Sequence, residues 1–176
     1  MLDSYGLGFI WLNQNNMSLN VKSTISLFKQ RIHDINKQNI NEQIDNVSKN
    51  RLYKLLNEST INNSYLFHVK EKYLRTSITK LRLGSHNLMI ERGRWKKKEL
   101  IDRECSLCGK LEDEYHAVLE CPRYEEFREA YIPHYLLRRP SMFKFIEFLN
   151  TLNPNEMRSF GKFCYRLRRY YETNVL

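Results

Sequence analysis

From residue 21 onward, Val21, Ile25, Phe28, Ile32 and Ile35 recur at spacings alternating between four and three. That period draws a narrow apolar stripe down one side of an amphipathic helix, with Asn20 placed as its N-cap. The polar run Lys37-Gln-Asn interrupts the stripe, and Ile40, Ile44 and Val47 resume it. The interruption predicts a second helix or a kinked continuation. Leu52, Leu55 and Leu56 predict a further short helix, and residues 58–64 are a loop by composition. A helix is expected over 65–83, with Leu74, Ile78 and Leu81 on one face and Lys72, Arg75 and Arg82 on others. Gly84 follows as its C-terminal cap. Residues 85–100 carry few helix signals, so Met89-Ile90-Glu91 reads as a brief strand or an extended loop.

The second half continues the helical pattern. A short helix over 123–130 is closed by Pro133, and Pro140-Ser141 opens another with Met142, Phe145, Leu149 and Leu152 facing inward. The last helix has the clearest start: Asn153 as N-cap, Pro154 first and Glu156 third, the layout of a capping box. Met157, Phe160, Cys164, Leu167 and Tyr171 form one stripe of it, and Arg158, Lys162, Arg166 and Arg169 another. Cys164 therefore reads as a core thiol. His33, beside the first stripe, reads as a surface or packing residue. Leu7, Phe9, Ile10, Trp11 and Leu12 cluster without a period, as in a docked or frayed segment. The expected fold is mostly α with little or no sheet. It comprises an N-terminal segment (1–17), a helical region (18–83), a middle segment (84–135) and C-terminal helices (136–176), forming one cooperative domain.

The middle segment changes the picture. Cys105, Cys108, His116 and Cys121 stand in the spacing C-x2-C-x7-H-x4-C. Three thiolates and an imidazole are the donor set of a closed tetrahedral Zn2+ site. Two Cys separated by two residues can bind one ion from a single tight turn, and Gly109 suits the backbone of that turn. Asp113 and Glu114 open a helix whose N-terminal dipole favours carboxylates; it carries His116 inward and ends at Cys121, before Pro122. The expected cofactor is one structural Zn2+ that staples the helical domain. Three clustered Cys make a poor disulfide framework because one is left over.

Charge then divides the chain. Lys and Arg total 29 against 20 Asp and Glu, a net charge of +9 over 176 residues, which points to polyanionic partners. Residues 70–98 hold ten Lys and Arg against Glu71 and Glu91, a net +8, whereas residues 112–129 hold seven acids against Arg123 and Arg128, a net −5. An acidic metal segment repels phosphates, so it is read as a staple. The grip is read as Arg92-Gly-Arg94-Trp95-Lys96-Lys97-Lys98, where a ring for stacking sits among cations for an RNA or DNA backbone. No apolar run approaches the length of a membrane span, and no secretory leader is read at the start. The thiol cluster suits a reducing compartment, nuclear or cytoplasmic.

Three blocks together resemble a known family: Leu81-Arg-Leu-Gly-Ser-His86, Ile90-Glu-Arg-Gly-Arg-Trp95, and Cys105-x2-Cys108 running on to Glu112-Asp-Glu-Tyr-His116-Ala-Val-Leu-Glu-Cys121-Pro. They are similar to the CCHC zinc-binding tail of LINE-type (non-LTR) retrotransposon reverse transcriptases. The resemblance is specific over 74–131, looser before and fades after 140. It implies Cys105, Cys108, His116 and Cys121 as ligands. It also implies a nucleic-acid-associated accessory role, with Arg82 and His86 joining the basic segment as contact residues and a polymerase domain as a partner. The seven-residue gap before His116 departs from retroviral nucleocapsid knuckles, so their binding mode does not carry over.

Catalysis is not expected. Asp stands only at positions 3, 34, 45, 102 and 113, so neither an adjacent Asp pair for polymerisation nor an acidic cluster for two-metal hydrolysis is present. The expectation is a non-catalytic, zinc-binding fragment of such a reverse transcriptase that positions RNA or DNA. The alternatives are a protein-interaction module docking on a separate polymerase through its stripes, and a non-functional retroelement remnant that still folds.

Overall fold

The computed structural model of the chain describes residues 6–8, 12, 20–58 and 63–174. Of the N-terminal cluster, Leu7 is buried and Leu12 exposed, while Phe9, Ile10 and Trp11 lie outside the described residues, as do residues 59–62 of the expected loop. Two compact units are present, Met1–Ser48 and Lys49–Leu176. Among the described residues the secondary structure is helical and no strand forms; one isolated bridge pairs Glu104 with Leu111. None of these helices is long and apolar enough to cross a membrane.

The first unit holds α1 (Val21–Asn46), capped by Asn20, whose side-chain oxygen accepts from the backbone N–H of Lys22 and Ser23. Of the two expectations for the stretch after residue 37, the separate second helix does not form: the helix continues to Asn46. Lys37-Gln-Asn interrupts the apolar stripe but contains no Gly or Pro, so the backbone hydrogen bonds run straight through. The stripe is not a buried face either: no residue of α1 is buried.

The second unit carries α2 (Arg51–Glu58), α3 (Tyr65–His68), α4 (Lys72–Arg82), α5 (Met89–Trp95), α6 (Glu125–Tyr131), α7 (His134–Leu137), α8 (Met142–Leu149) and α9 (Pro154–Asn174). The single helix expected over 65–83 is two. The chain turns extended at Val69, whose side chain is buried, and the Arg75 guanidinium donates to the carbonyls of Val69 (2.7 Å) and Lys70 (2.8 Å) that the break leaves free. α4 ends at Gly84 as expected: Gly84 N donates to Leu81 O and Ser85 N to Lys80 O, the paired bonds of a Schellman closure.

α9 is the axis of this unit and packs on α4, α6 and α3. Met157, Phe160, Cys164, Leu167 and Tyr171 are all buried, in one core with Leu74, Ile78 and Leu81 of α4. Each of the Met, Phe, Leu and Ile side chains contributes about 1.5–3 kcal/mol through the apolar surface it removes from water. α8 adds Phe145, Phe148 and Leu149, with Phe148 set edge-to-face against Phe160 at 5.2 Å. Met142 and Leu152, expected inside, are exposed: α8 turns Phe145, Phe148 and Leu149 inward, and it ends at Leu149, before Leu152 is reached. Asn153 caps α9 by accepting from Asn155 N and Glu156 N, but the capping box stays half made: Asn153 N donates to Thr151 Oγ1, not to Glu156.

Candidate metal centre

The site is built from two arms. The first is a tight turn in which Cys105 N donates to Lys110 O (2.7 Å) and Gly109 N to Cys105 O (2.9 Å). Gly109 has φ of 69°, a left-handed conformation open to glycine at no steric cost. The turn presents Cys105 and Cys108 from one side. The second arm is helical from Glu114, and Asp113 caps it by accepting from His116 N at 2.9 Å. Its last turn, His116–Glu120, is a π turn closed by Cys121 N donating to His116 O at 2.8 Å. The widening matters for the ligands. At about 100° per residue of α-helix, His116 and Cys121 would point roughly 140° apart, whereas a turn closed through five residues brings them to one side.

The four ligand atoms lie within 4.8 Å of one another and could hold a metal ion. Cys105 Sγ is 3.8 Å from Cys121 Sγ, and Cys108 Sγ is 3.2 Å from His116 Nε2. Zn2+ bonds to S and N set tetrahedral edges of about 3.8 Å between sulfurs and ~3.5 Å from sulfur to nitrogen, so the set fits such an ion. Burial pushes the Cys105 thiol up, but backbone N–H donors of Leu107 and Cys108 and the His116 ring outweigh it and bring it down to about 7. Burial raises the Cys121 thiol to about 12, and the neighbouring sulfurs add to the rise. A cation among the sulfurs reverses that penalty.

The supporting contacts are specific. His116 Nδ1 faces Glu120 Oε2 at 3.4 Å, and Lys110 Nζ holds the same carboxylate at 3.2 Å, so one ion pair ties the first arm to the second. Burial pushes the Glu120 carboxyl up, yet Lys110 and His116 hold it below the ordinary value. A carboxylate on the far nitrogen of a ligand His fixes the ring and raises its basicity. Buried Arg128 of α6 donates from Nε to Val118 O at 3.0 Å and from Nη2 to Cys121 O, fixing the backbone that carries the last ligand. Arg123 donates to Ser106 Oγ at 2.8 Å and so holds the first turn. Neither arginine stood out in the sequence; both lie in the acidic stretch, where they read as charge balance.

The centre reaches the core through buried Glu112. Its Oε1 accepts from Tyr171 OH at 2.7 Å, and Tyr171 OH accepts from Tyr124 OH at 2.7 Å. Its Oε2 accepts from Met89 N at 2.8 Å and so caps α5. That cap explains why residues 89–95 form a helix where a strand or loop was expected: the capping group sits 23 residues away in the sequence.

The residues read as nucleic-acid contacts separate into two groups. Arg82 is buried; its guanidinium donates to Leu149 O at 2.7 Å and lies over the Tyr65 ring, a structural post that offers nothing to the surface. His86 is paired with Glu114 at 2.9 Å in a half-buried site. The remaining six stay together on α5 and the turn after it. Arg92 and Arg94 are half-buried, Arg94 bonded to Glu91 at 2.9 Å and lying 4.9 Å from the Trp95 ring centroid. Trp95 is 73% exposed, and Lys96, Lys97 and Lys98 are exposed without an ion pair among the described residues. The Arg103 guanidinium donates to Lys98 O (2.8 Å) and Ile90 O (3.1 Å), fixing this turn two residues before the first ligand. It passes where a Cβ on Gly93 would meet its side chain at 2.5 Å, so Gly93 provides the room. No protein-family model, curated protein or solved structure matches the chain.

Proposed function

We propose that this chain is a zinc-stapled, non-catalytic module that holds RNA or DNA, as the resemblance to the zinc-binding tail of non-LTR reverse transcriptases implies. Cys105, Cys108, His116 and Cys121 hold one structural Zn2+; four protein ligands fill its coordination and leave no position for an activated water. The ion supplies cross-linking energy, and the acidic surface around it does not touch the polyanion. Trp95 and Lys96–98 do, with Arg92 and Arg94 behind them.

The observation that carries the reading is Arg103. It ties the exposed basic turn to the metal-binding turn, so an exposed ring and three ammonium groups without an ion pair among the described residues are presented on a fixed backbone. A preorganised turn loses less entropy on binding than a free charge run.

The test is a filter-binding series with RNA and DNA across several salt concentrations. Affinity is expected to fall linearly with log salt, and replacing Lys96, Lys97 and Lys98 together by Gln to flatten the slope by roughly two to three units. Trp95→Ala is expected to weaken single strands more than duplex, since stacking needs a free base. Absence of salt-dependent binding at low salt overturns the reading. The unburied stripe of α1 then favours the second one, a module that docks on a protein partner.

A further inference from the structure

A second surface of the Lys49–Leu176 unit joins rings and cations, on residues distinct from the basic turn. Between α4, α6 and α9 runs an open groove of about 550 Å3. Tyr73, Phe127, Tyr131 and Tyr165 line it together with Lys162 and Arg166. The Arg166 guanidinium lies 5.7 Å from the centroids of both Phe127 and Tyr131, and Lys162 Nζ lies 6.0 Å from Tyr131. Tyr73 and Tyr165 meet edge-to-face at 5.0 Å, and the Arg168 guanidinium lies 5.4 Å from the Tyr165 ring centroid. Tyr73 is 49% exposed.

Charge selects the occupant. No residue lining the groove is acidic, and among the described residues neither Lys162 nor Arg166 is ion-paired. Arg169, which also lines the groove, is held by Glu172 at 2.9 Å. A free inorganic anion would use the cations and leave the rings idle. A duplex offers phosphates but no base face to a ring. A single strand uses both, stacking unpaired bases on aromatic side chains while its phosphates meet cations at ring spacing.

We propose that this groove is a second contact surface for single-stranded nucleic acid, with bases on the tyrosines and phosphates on Lys162 and Arg166. It rests on the nucleic-acid reading of the chain but stands on residues distinct from the basic turn.

The experiment uses the full zinc-loaded chain and a labelled oligouridylate, with a duplex of the same length as control. Wild type, Lys162→Gln with Arg166→Gln, Tyr131→Ala, and the Lys96–98→Gln variant are titrated by anisotropy at several salt concentrations, after zinc content and Tm show that each is folded. The Lys162/Arg166 pair is expected to flatten the single-strand salt slope by about 1.4, roughly 0.7 per lost contact. Tyr131→Ala is expected to weaken the single strand and leave the duplex unchanged. Photocrosslinking of a thiouridine-substituted strand to wild type gives a reading independent of any variant's stability, and adducts are expected on the peptides carrying Tyr73, Tyr131 or Tyr165. If wild type binds, adducts fall only near Trp95 and the Lys162/Arg166 pair binds as wild type, the groove proposal is overturned and the basic turn stands. If only the groove variants lose binding, the groove stands and the basic turn falls. If wild type binds no polynucleotide, both fall.

Discussion

Helices α1 and α9 carry the same signature and meet opposite fates. Each has an N-terminal Asn cap and an apolar stripe spaced by threes and fours. In α9 the stripe is the centre of a core, and Phe160 is fully buried. In α1 no residue is buried, and Ile25 is 50% exposed. Periodicity states which side of a helix is apolar; it does not state that anything covers that side. The two stripes also differ in bulk. That of α9 includes Met157, Phe160 and Tyr171 and is supplemented by Phe163, whereas that of α1 is mostly β-branched and interrupted by polar residues. The wider, heavier face gains more from burial.

The largest effect expected in this comparison is that of metal removal. α9 is bonded to the segment of the candidate metal site through Tyr171, Glu112 and Tyr124, and α1 belongs to the other compact unit. Structural Zn2+ binding is folding energy, on the order of 10 kcal/mol in small peptides. Chelation, or Cys121→Ser, is therefore expected to abolish the slow hydrogen exchange of α9 amides over 157–171 while α1 amides exchange as before. Unchanged protection in α9 would break the link drawn between its stripe and the metal centre.

Next in size is a pair of truncations. Phe160→Ala is expected to cost about 3–5 kcal/mol, the usual range for a buried phenylalanine, and Ile25→Ala at most ~0.5 kcal/mol. Chemical denaturation of the two variants measures both. A loss of 2 kcal/mol or more at Ile25 would show that the α1 stripe is covered in solution, by a partner or a second copy.

The smallest effect belongs to the solvent side of α9. Arg158 donates to the Glu71 carboxylate and holds its pKa below the ordinary 4.5. A carboxyl depressed in the folded state stabilises above the unfolded value and loses that contribution as the pH falls through the folded one. Arg158→Ala is thus expected to lower Tm slightly at neutral pH, with the difference closing on acidification below 4.5. A difference that persisted in acid would assign the loss to packing of the arginine stem.

The sequence by itself determined the helical class, the stripe of α9 and the four residues that converge as a candidate metal site. Each of these is a local statement: a period of 3.6, a cap next to its helix, four ligands within seventeen positions. What the tertiary structure decided lies between distant residues. The break at Val69 is stabilised by Arg75, α5 exists because Glu112 caps it, and Arg82 is inside because Leu149 offers a carbonyl. The π turn that aligns His116 with Cys121 is held by Arg128 from the following helix. A buried polar group must be satisfied by whatever the fold brings within 3 Å, and that partner has no fixed place along the chain. Periodicity is a property of one helix; coverage and capping belong to the assembly of several, which is why α1 and α9 look alike in sequence and differ in the folded protein.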